Sequence, residues 1–112
     1  MSNKVIARET FRKQAKRFAR RYKSFPNDLQ KLVDELKENA SLGTTLGGNV
    51  YKIRLAISSK NKGKSGGARI ITYVYLQAHI VYLLSIYDKA DTENITDVEL
   101  KYLIKEVEED FK

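Results

Sequence analysis

At 112 residues the chain has the length of one compact domain, 1–112, and is too short for a two-domain enzyme. It has no cysteine and a single histidine, which excludes disulfides, thiolate metal sites, cysteine nucleophiles and any scheme that needs two imidazoles. The net charge of +7 is unevenly spread, with +8 in residues 1–25, 0 in 26–57, +4 in 58–89 and −5 in 90–112, and basic segments this dense point to a phosphate-bearing partner.

Met1–Glu9 lacks the apolar core of a secretory signal, and no apolar run approaches the ~20 residues of a membrane span. The cytoplasm is the expected compartment, with no membrane partner. Residues 3–7 suggest a short first strand. Phe11, Ala15, Phe18, Ala19 and Tyr22 then recur at helical spacing, while Arg12, Lys13, Lys16, Arg17, Arg20, Arg21 and Lys23 fill the opposite face. Ser24-Phe25-Pro26 interrupts this helix, and proline suits the first turn of the next one, where its missing N–H costs nothing. Leu29, Leu32, Val33 and Leu36 carry the second helix from about Pro26 to Asn39, packed on the first as a hairpin.

Gly43, Gly47 and Gly48 mark a loop, after which the period falls to two. Tyr51, Ile53, Leu55 and Ile57 point one way and Lys52 and Arg54 the other, a strand with one dry and one basic face. Residues 58–67 contain no apolar side chain and three glycines, so they read as a loop, and it carries Lys60, Lys62 and Lys64. Ala68 to Leu76 returns as a strand with Arg69, Ile71, Tyr73 and Tyr75 on one face. Gln77-Ala78-His79 is a turn, and the uniformly apolar run Ile80 to Tyr87 is a strand covered on both sides. Thr96-Asp97-Val98-Glu99 has the form of a capping box, with Ile95 and Leu100 as its hydrophobic staple; Leu100, Leu103, Ile104, Val107 and Phe111 form the inner stripe of a third, acidic helix. The expected architecture is α+β, in the order β-α-α-β-β-β-α, with a small antiparallel sheet packed against the helical hairpin.

Pairing of the two strands across the 58–67 loop would put Lys52, Arg54 and Arg69 on one exposed sheet face, with the loop lysines above its edge and Tyr73 near enough to stack on a base. Cations for phosphate and rings for bases are what single-stranded RNA recognition requires. Taken singly, each cation also fits a solvated strand residue. Such a surface can do chemistry. Cleavage by a 2′-hydroxyl needs a base, neutralisation of the phosphorane's added charge and a proton for the leaving 5′-oxygen. A lysine among like charges can be the base, arginine offers two-pronged phosphate contacts, and tyrosine or a protonated lysine can be the acid, with no metal or cofactor. Gly-Lys-Ser at 63–65 lies between strands with the wrong glycine spacing for a nucleotide-binding P-loop, and His79 reads as a turn residue.

The segments Leu46-Gly47-Gly48-Asn49-Val50-Tyr51-Lys52-Ile53-Arg54-Leu55, Gly63-Lys64-Ser65-Gly66-Gly67-Ala68-Arg69-Ile70-Ile71 and Leu84-Ser85-Ile86-Tyr87-Asp88-Lys89 resemble the RelE/HigB branch of the RelE/ParE toxin superfamily over nearly the whole chain. The resemblance implies a RelE-like fold and the toxin of a type II toxin–antitoxin pair, a metal-independent endoribonuclease that cuts mRNA in the ribosomal A site. It also implies a free toxin that is monomeric and is held by a cognate antitoxin. By motif position Lys52 and Arg54 match the family's paired strand cations, Arg69 its scissile-phosphate arginine, and Lys89 a basic residue after the last strand. The tyrosine that some members carry further on is missing from Asp91 to Ile95, and Tyr87 is the nearest substitute. The longer basic loop is like that of the HigB-like forms and gives Lys64 a share of the catalytic load. The expected roles are Lys52 or Lys64 as base, Arg54 and Arg69 as phosphorane stabilisers, Tyr87 or Lys89 as proton donor, and Arg12, Lys16, Arg20, Lys60, Lys62 and Tyr73 as RNA contacts. The rival readings are a ParE-like gyrase inhibitor and an RNA-binding module without activity.

Overall fold

A computed structural model describes residues 2–60, 67–91 and 94–109, apart from the side chain of residue 60. The chain runs β1 (Lys4–Ala7), α1 (Glu9–Arg21), α2 (Phe25–Glu38), β2 (Thr44–Gly47), β3 (Val50–Leu55), a short 3-10 turn (Ser58–Lys60), β4 (Ala68–Tyr75), a second 3-10 turn (Leu76–Ala78), β5 (Ile80–Asp88) and α3 (Asp97–Glu108). The strands form one sheet in the order β1-β5-β4-β3-β2. Among the described residues no helix is long and apolar enough to cross a membrane.

The α+β class and the β3-β4-β5 meander follow the periodicity, and two features correct the expected antiparallel sheet. β1 pairs in parallel with β5, from Lys4 opposite Ile80 to Ala7 opposite Leu83, so the sheet is mixed. The expected glycine loop contains a strand, β2, antiparallel to β3. Gly47 pairs with Val50, and the two residues between them, Gly48 and Asn49, have φ of 57° and 66°. Positive φ at both central positions is a type I′ turn, whose twist matches that of the strands it joins.

Each face of the sheet has its own core. Phe11, Phe25, Leu32 and Leu36 from the helical hairpin pack on Ile53, Leu55, Ile70, Val81, Leu83 and Ile86. On the other face Leu103 and Val107 of α3 pack on Val50, Ile71, Tyr82 and Leu84. β5 contributes to both cores, as its unbroken apolar run requires. At the start of α3 the Glu99 amide donates to Thr96 Oγ1 at 3.1 Å, and the Thr96 hydroxyl donates to Glu99 Oε1 at 3.0 Å. Its last turn is tied back to α1, where the Thr10 hydroxyl donates to Glu106 Oε2 at 2.7 Å and Arg8 to the Glu106 carbonyl at 3.1 Å.

One irregularity decides which residues share a face. On β4, Ile71 pairs with Ser85 but Thr72 pairs with Leu83, so β5 carries an extra residue there, a β-bulge. Before it, Val81 and Leu83 face the hairpin; after it, Ile86 does. The bulge shifts the alternation by one, which places Tyr87 on the α3 face, where the unbroken period from Leu83 would have turned it to the hairpin.

Candidate active site

The residues that the strand pattern put together do share a face. In register, Arg54 of β3 stands opposite Arg69 of β4, and Arg69 stands opposite Tyr87 of β5. Lys52 lies one face-sharing step along β3 from Arg54. The α3 side therefore carries a transverse row of Arg54, Arg69 and Tyr87, with Lys52 alongside. Arg54 is exposed and Lys52 half-buried. Arg69 departs from the water-facing expectation, being only 4% exposed, and its Nη1 donates to the Ala68 carbonyl at 3.2 Å. Its positive charge therefore acts on the row from within the protein, where the low dielectric lengthens its reach.

Lys52 and Tyr87 line a common cleft of about 270 Å3 with Leu46, Asn94, Ile95, Asp97 and Leu100. Its floor is β3 and β5, and its wall is the segment that enters α3. Lys52 Nζ donates to Asn94 Oδ1 at 3.3 Å, which holds the ammonium in the cleft. The Tyr87 hydroxyl is buried and makes no hydrogen bond of ordinary geometry. Burial pushes this phenol above the ordinary tyrosine value; the Glu99 carboxylate adds to the rise, and the nearby Ile95 amide and the Arg69 guanidinium oppose it. The phenol is neutral at physiological pH, as an unperturbed tyrosine already is, and the rise makes it a weaker acid.

The other expected residues are dispersed. Lys89 is exposed in the turn after β5. Tyr73 is half-buried and packs with the α3-face core. Arg12, Lys16 and Arg20 are exposed on α1, in the layer on the opposite side of the sheet. Lys62, Lys64 and the side chain of Lys60 lie outside the described residues. His79 sits in the expected turn with φ 54°. Among the described residues no three histidine, aspartate or glutamate side chains converge as a metal cage.

Several structurally committed polar residues carried no signal in the sequence. Gln14 of α1 accepts at Oε1 from the Ile86 amide at 2.8 Å and from the Ser85 hydroxyl at 3.2 Å. Buried Asp88 accepts from the Tyr22 hydroxyl at 2.5 Å and the Ala90 amide at 2.9 Å, with Arg21 at 3.9 Å. Buried Asp28 of α2 accepts from the Ser58 amide at 2.9 Å, the Ser58 hydroxyl at 2.6 Å and the Ser24 hydroxyl at 2.8 Å. Each joins a helix to β5 or to the turn after β3, and those joining bonds, unlike the local Ser24–Asp28 and Asp88–Ala90 bonds, span too much sequence to be read from local spacing.

The comparisons with known proteins agree with this architecture. A double arginine-to-alanine variant of the E. coli toxin RelE, solved in its free state, superposes with a TM-score of 0.58 at 18% sequence identity, over 83% of this chain and 90% of that one. At that identity the likeness speaks for the fold. The family model described as the RelE toxin of the RelE/RelB toxin–antitoxin system matches residues 7–111. With nearly the full length matched by that model and the fold shared with RelE, the chain belongs to the RelE toxin family, the toxin component of a toxin–antitoxin system.

Proposed function

We propose that this toxin is a metal-independent endoribonuclease that cuts mRNA on the ribosome and so arrests translation. The observation that carries the reading is the cleft shared by Lys52 and Tyr87, flanked by the Arg54–Arg69 row. A strand laid across the row meets Lys52 and the exposed Arg54, with the Arg69 charge and the Tyr87 O–H lying beneath that surface.

In this mechanism Lys52, in its neutral form, takes the proton of a 2′-hydroxyl as that oxygen attacks the adjacent phosphorus. Arg54 contacts the phosphate from the surface, and Arg69 stabilises the developing dianion from beneath. Tyr87 gives its proton to the departing 5′-oxygen, so the products are a 2′,3′-cyclic phosphate and a 5′-hydroxyl. Lys64 as a second base and Lys89 as a second donor belong to the same proposal, as do the exposed cations of α1 as a grip on ribosomal RNA. A cytoplasmic, monomeric free toxin whose basic surface is covered by its cognate antitoxin completes the reading.

The test is toeprinting of a translating message with purified toxin, combined with end-group analysis of the fragments. Cuts that appear only on ribosome-bound message, leave 5′-hydroxyl ends and vanish in Lys52→Ala/Arg69→Ala are expected. Cutting that survives in that double variant refutes the residue assignment. A wild-type chain that never cuts, or that instead blocks DNA supercoiling by gyrase, refutes the activity.

A further inference from the structure

Tyr87 reaches the cleft only because β5 changes phase at its bulge, and the bulge is held by a helix on the other side of the sheet. β1 covers the edge of β5 only as far as Leu83, its last partner being Ala7. Beyond that point the Ile86 amide faces an open edge, and an unpaired backbone donor next to a bulge would leave strand and register free to slip. The Gln14 amide oxygen takes this donor at 2.8 Å and the hydroxyl of Ser85, the residue at the bulge, at 3.2 Å. Two helical turns further along α1, Tyr22 donates to Asp88 at 2.5 Å. The two pins bracket Tyr87, one on the residues just before it and one on the residue just after.

We infer that Gln14 is a positioning residue for Tyr87: by holding the β5 bulge it sets which face of the sheet receives the tyrosine hydroxyl, with Tyr22 fixing the far side of the same segment through Asp88. The inference rests on the proposed role of Tyr87 as proton donor for its kinetic consequence, but not for its structural content. Gln14 is not among the residues that line the cleft shared by Lys52 and Tyr87. Its effect is transmitted through two hydrogen bonds and a change of strand phase, and the side-chain oxygen is the only atom that matters for it.

The experiment compares Gln14→Met, which keeps side-chain length but removes the acceptor, with Gln14→Glu, which keeps an oxygen in reach of both donors. On ribosome-bound message, Gln14→Met is expected to lower kcat about 10- to 100-fold with little change in KM, as for loss of positioning rather than binding, and Gln14→Glu to stay within about threefold of wild type. Tyr87→Phe supplies the control background. If Gln14 acts through the hydroxyl, adding Gln14→Met to Tyr87→Phe costs nothing further, whereas a general loss of folding lowers both backgrounds alike. A full additional loss in the Tyr87→Phe background overturns the inference.

A nuclear Overhauser measurement is independent of catalysis, because the Tyr87 ring and Leu100 line the same cleft. Their cross-peaks should weaken or disappear in Gln14→Met and persist in Gln14→Glu. Unchanged cross-peaks in Gln14→Met overturn the positioning role whatever the kinetics. If instead Tyr87→Phe cuts as fast as wild type, the donor assignment fails, and the cross-peaks alone then decide whether Gln14 positions the ring.

Discussion

Replacing Asp28 by alanine tests whether the helical hairpin and the strands are joined by charge-assisted hydrogen bonds or only by apolar packing. The residue is 7% exposed and its carboxylate accepts three hydrogen bonds, from the Ser58 amide, the Ser58 hydroxyl and the Ser24 hydroxyl. Hydrogen bonds to an ionised acceptor contribute roughly 1.5–3 kcal/mol each, and two of these donors are hydroxyls that can turn to water after the substitution. The backbone amide of Ser58 has less freedom, so the expected net loss is about 3 kcal/mol, or a shift of about 2 M in the urea midpoint at ~1.5 kcal/mol per M.

The pH dependence has a fixed sign. Burial opposes ionisation of Asp28, but the hydrogen bonds from Ser58 and Ser24 and the charge of Lys31 outweigh it, and the net shift is downward. A carboxyl whose pKa is lower in the folded state stabilises the fold above its unfolded value of about 3.9, and this contribution is lost as pH falls through the folded value. The difference between wild type and Asp28→Ala, followed by urea unfolding at a series of pH values, should therefore be full near neutrality and close in acid. A gap under about 1 kcal/mol at pH 7, or one that stays constant down to pH 3, would show that the three bonds add nothing beyond what water supplies.

Two further substitutions test the frame around the row. Gly67 precedes β4, and a Cβ there would sit 2.1 Å from the Leu55 carbonyl oxygen, a backbone atom that cannot swing away; Gly67→Ala should cost about 3 kcal/mol or more and lower Tm by ~10 °C or more in calorimetry, and an unchanged Tm would contradict this packing. Thr96→Ala removes the hydroxyl that caps α3 and should cost about 1 kcal/mol in urea unfolding, with no loss meaning that the cap is replaced by water at no penalty.

Legibility in the sequence followed the physical range of each signal. The three helices and β3 and β4 are readable because one buried face imposes a period of 3.6 or 2, β5 because its run is apolar throughout, and the α3 cap because Thr96 and Glu99 lie three residues apart. β2 left no trace of alternation, since all four of its residues are exposed. The Gly48-Asn49 pair, which suits a type I′ turn, is the one local clue to it. Parallel pairing of β1 with β5 joins segments more than 70 residues apart, and nothing in a four-residue strand with three apolar side chains fixes the direction of a partner strand. The bulge was invisible for a different reason. A strand buried on both faces has no hydrophobic alternation, so a phase shift inside it changes nothing in the pattern. The sharing of a face by Lys52, Arg54 and Arg69 was legible, but the burial of Arg69 was not, because alternation assigns a side of the sheet and says nothing of what lies above it.

The same row gathers departures from the local rules that the rest of the fold obeys. Arg54 and Arg69 are like charges directly opposite one another, an arrangement that destabilises an antiparallel pair. Next to them the Tyr87 hydroxyl is buried, with the Ile95 amide close by and, among the described residues, no hydrogen bond of ordinary geometry. The strand that carries it is bulged and held in phase by a side chain from the opposite layer. The cost is supportable because the anchors at Gln14, Asp28 and Asp88 hold the strands from the hairpin side, while Leu103 and Val107 pack on them from the α3 side.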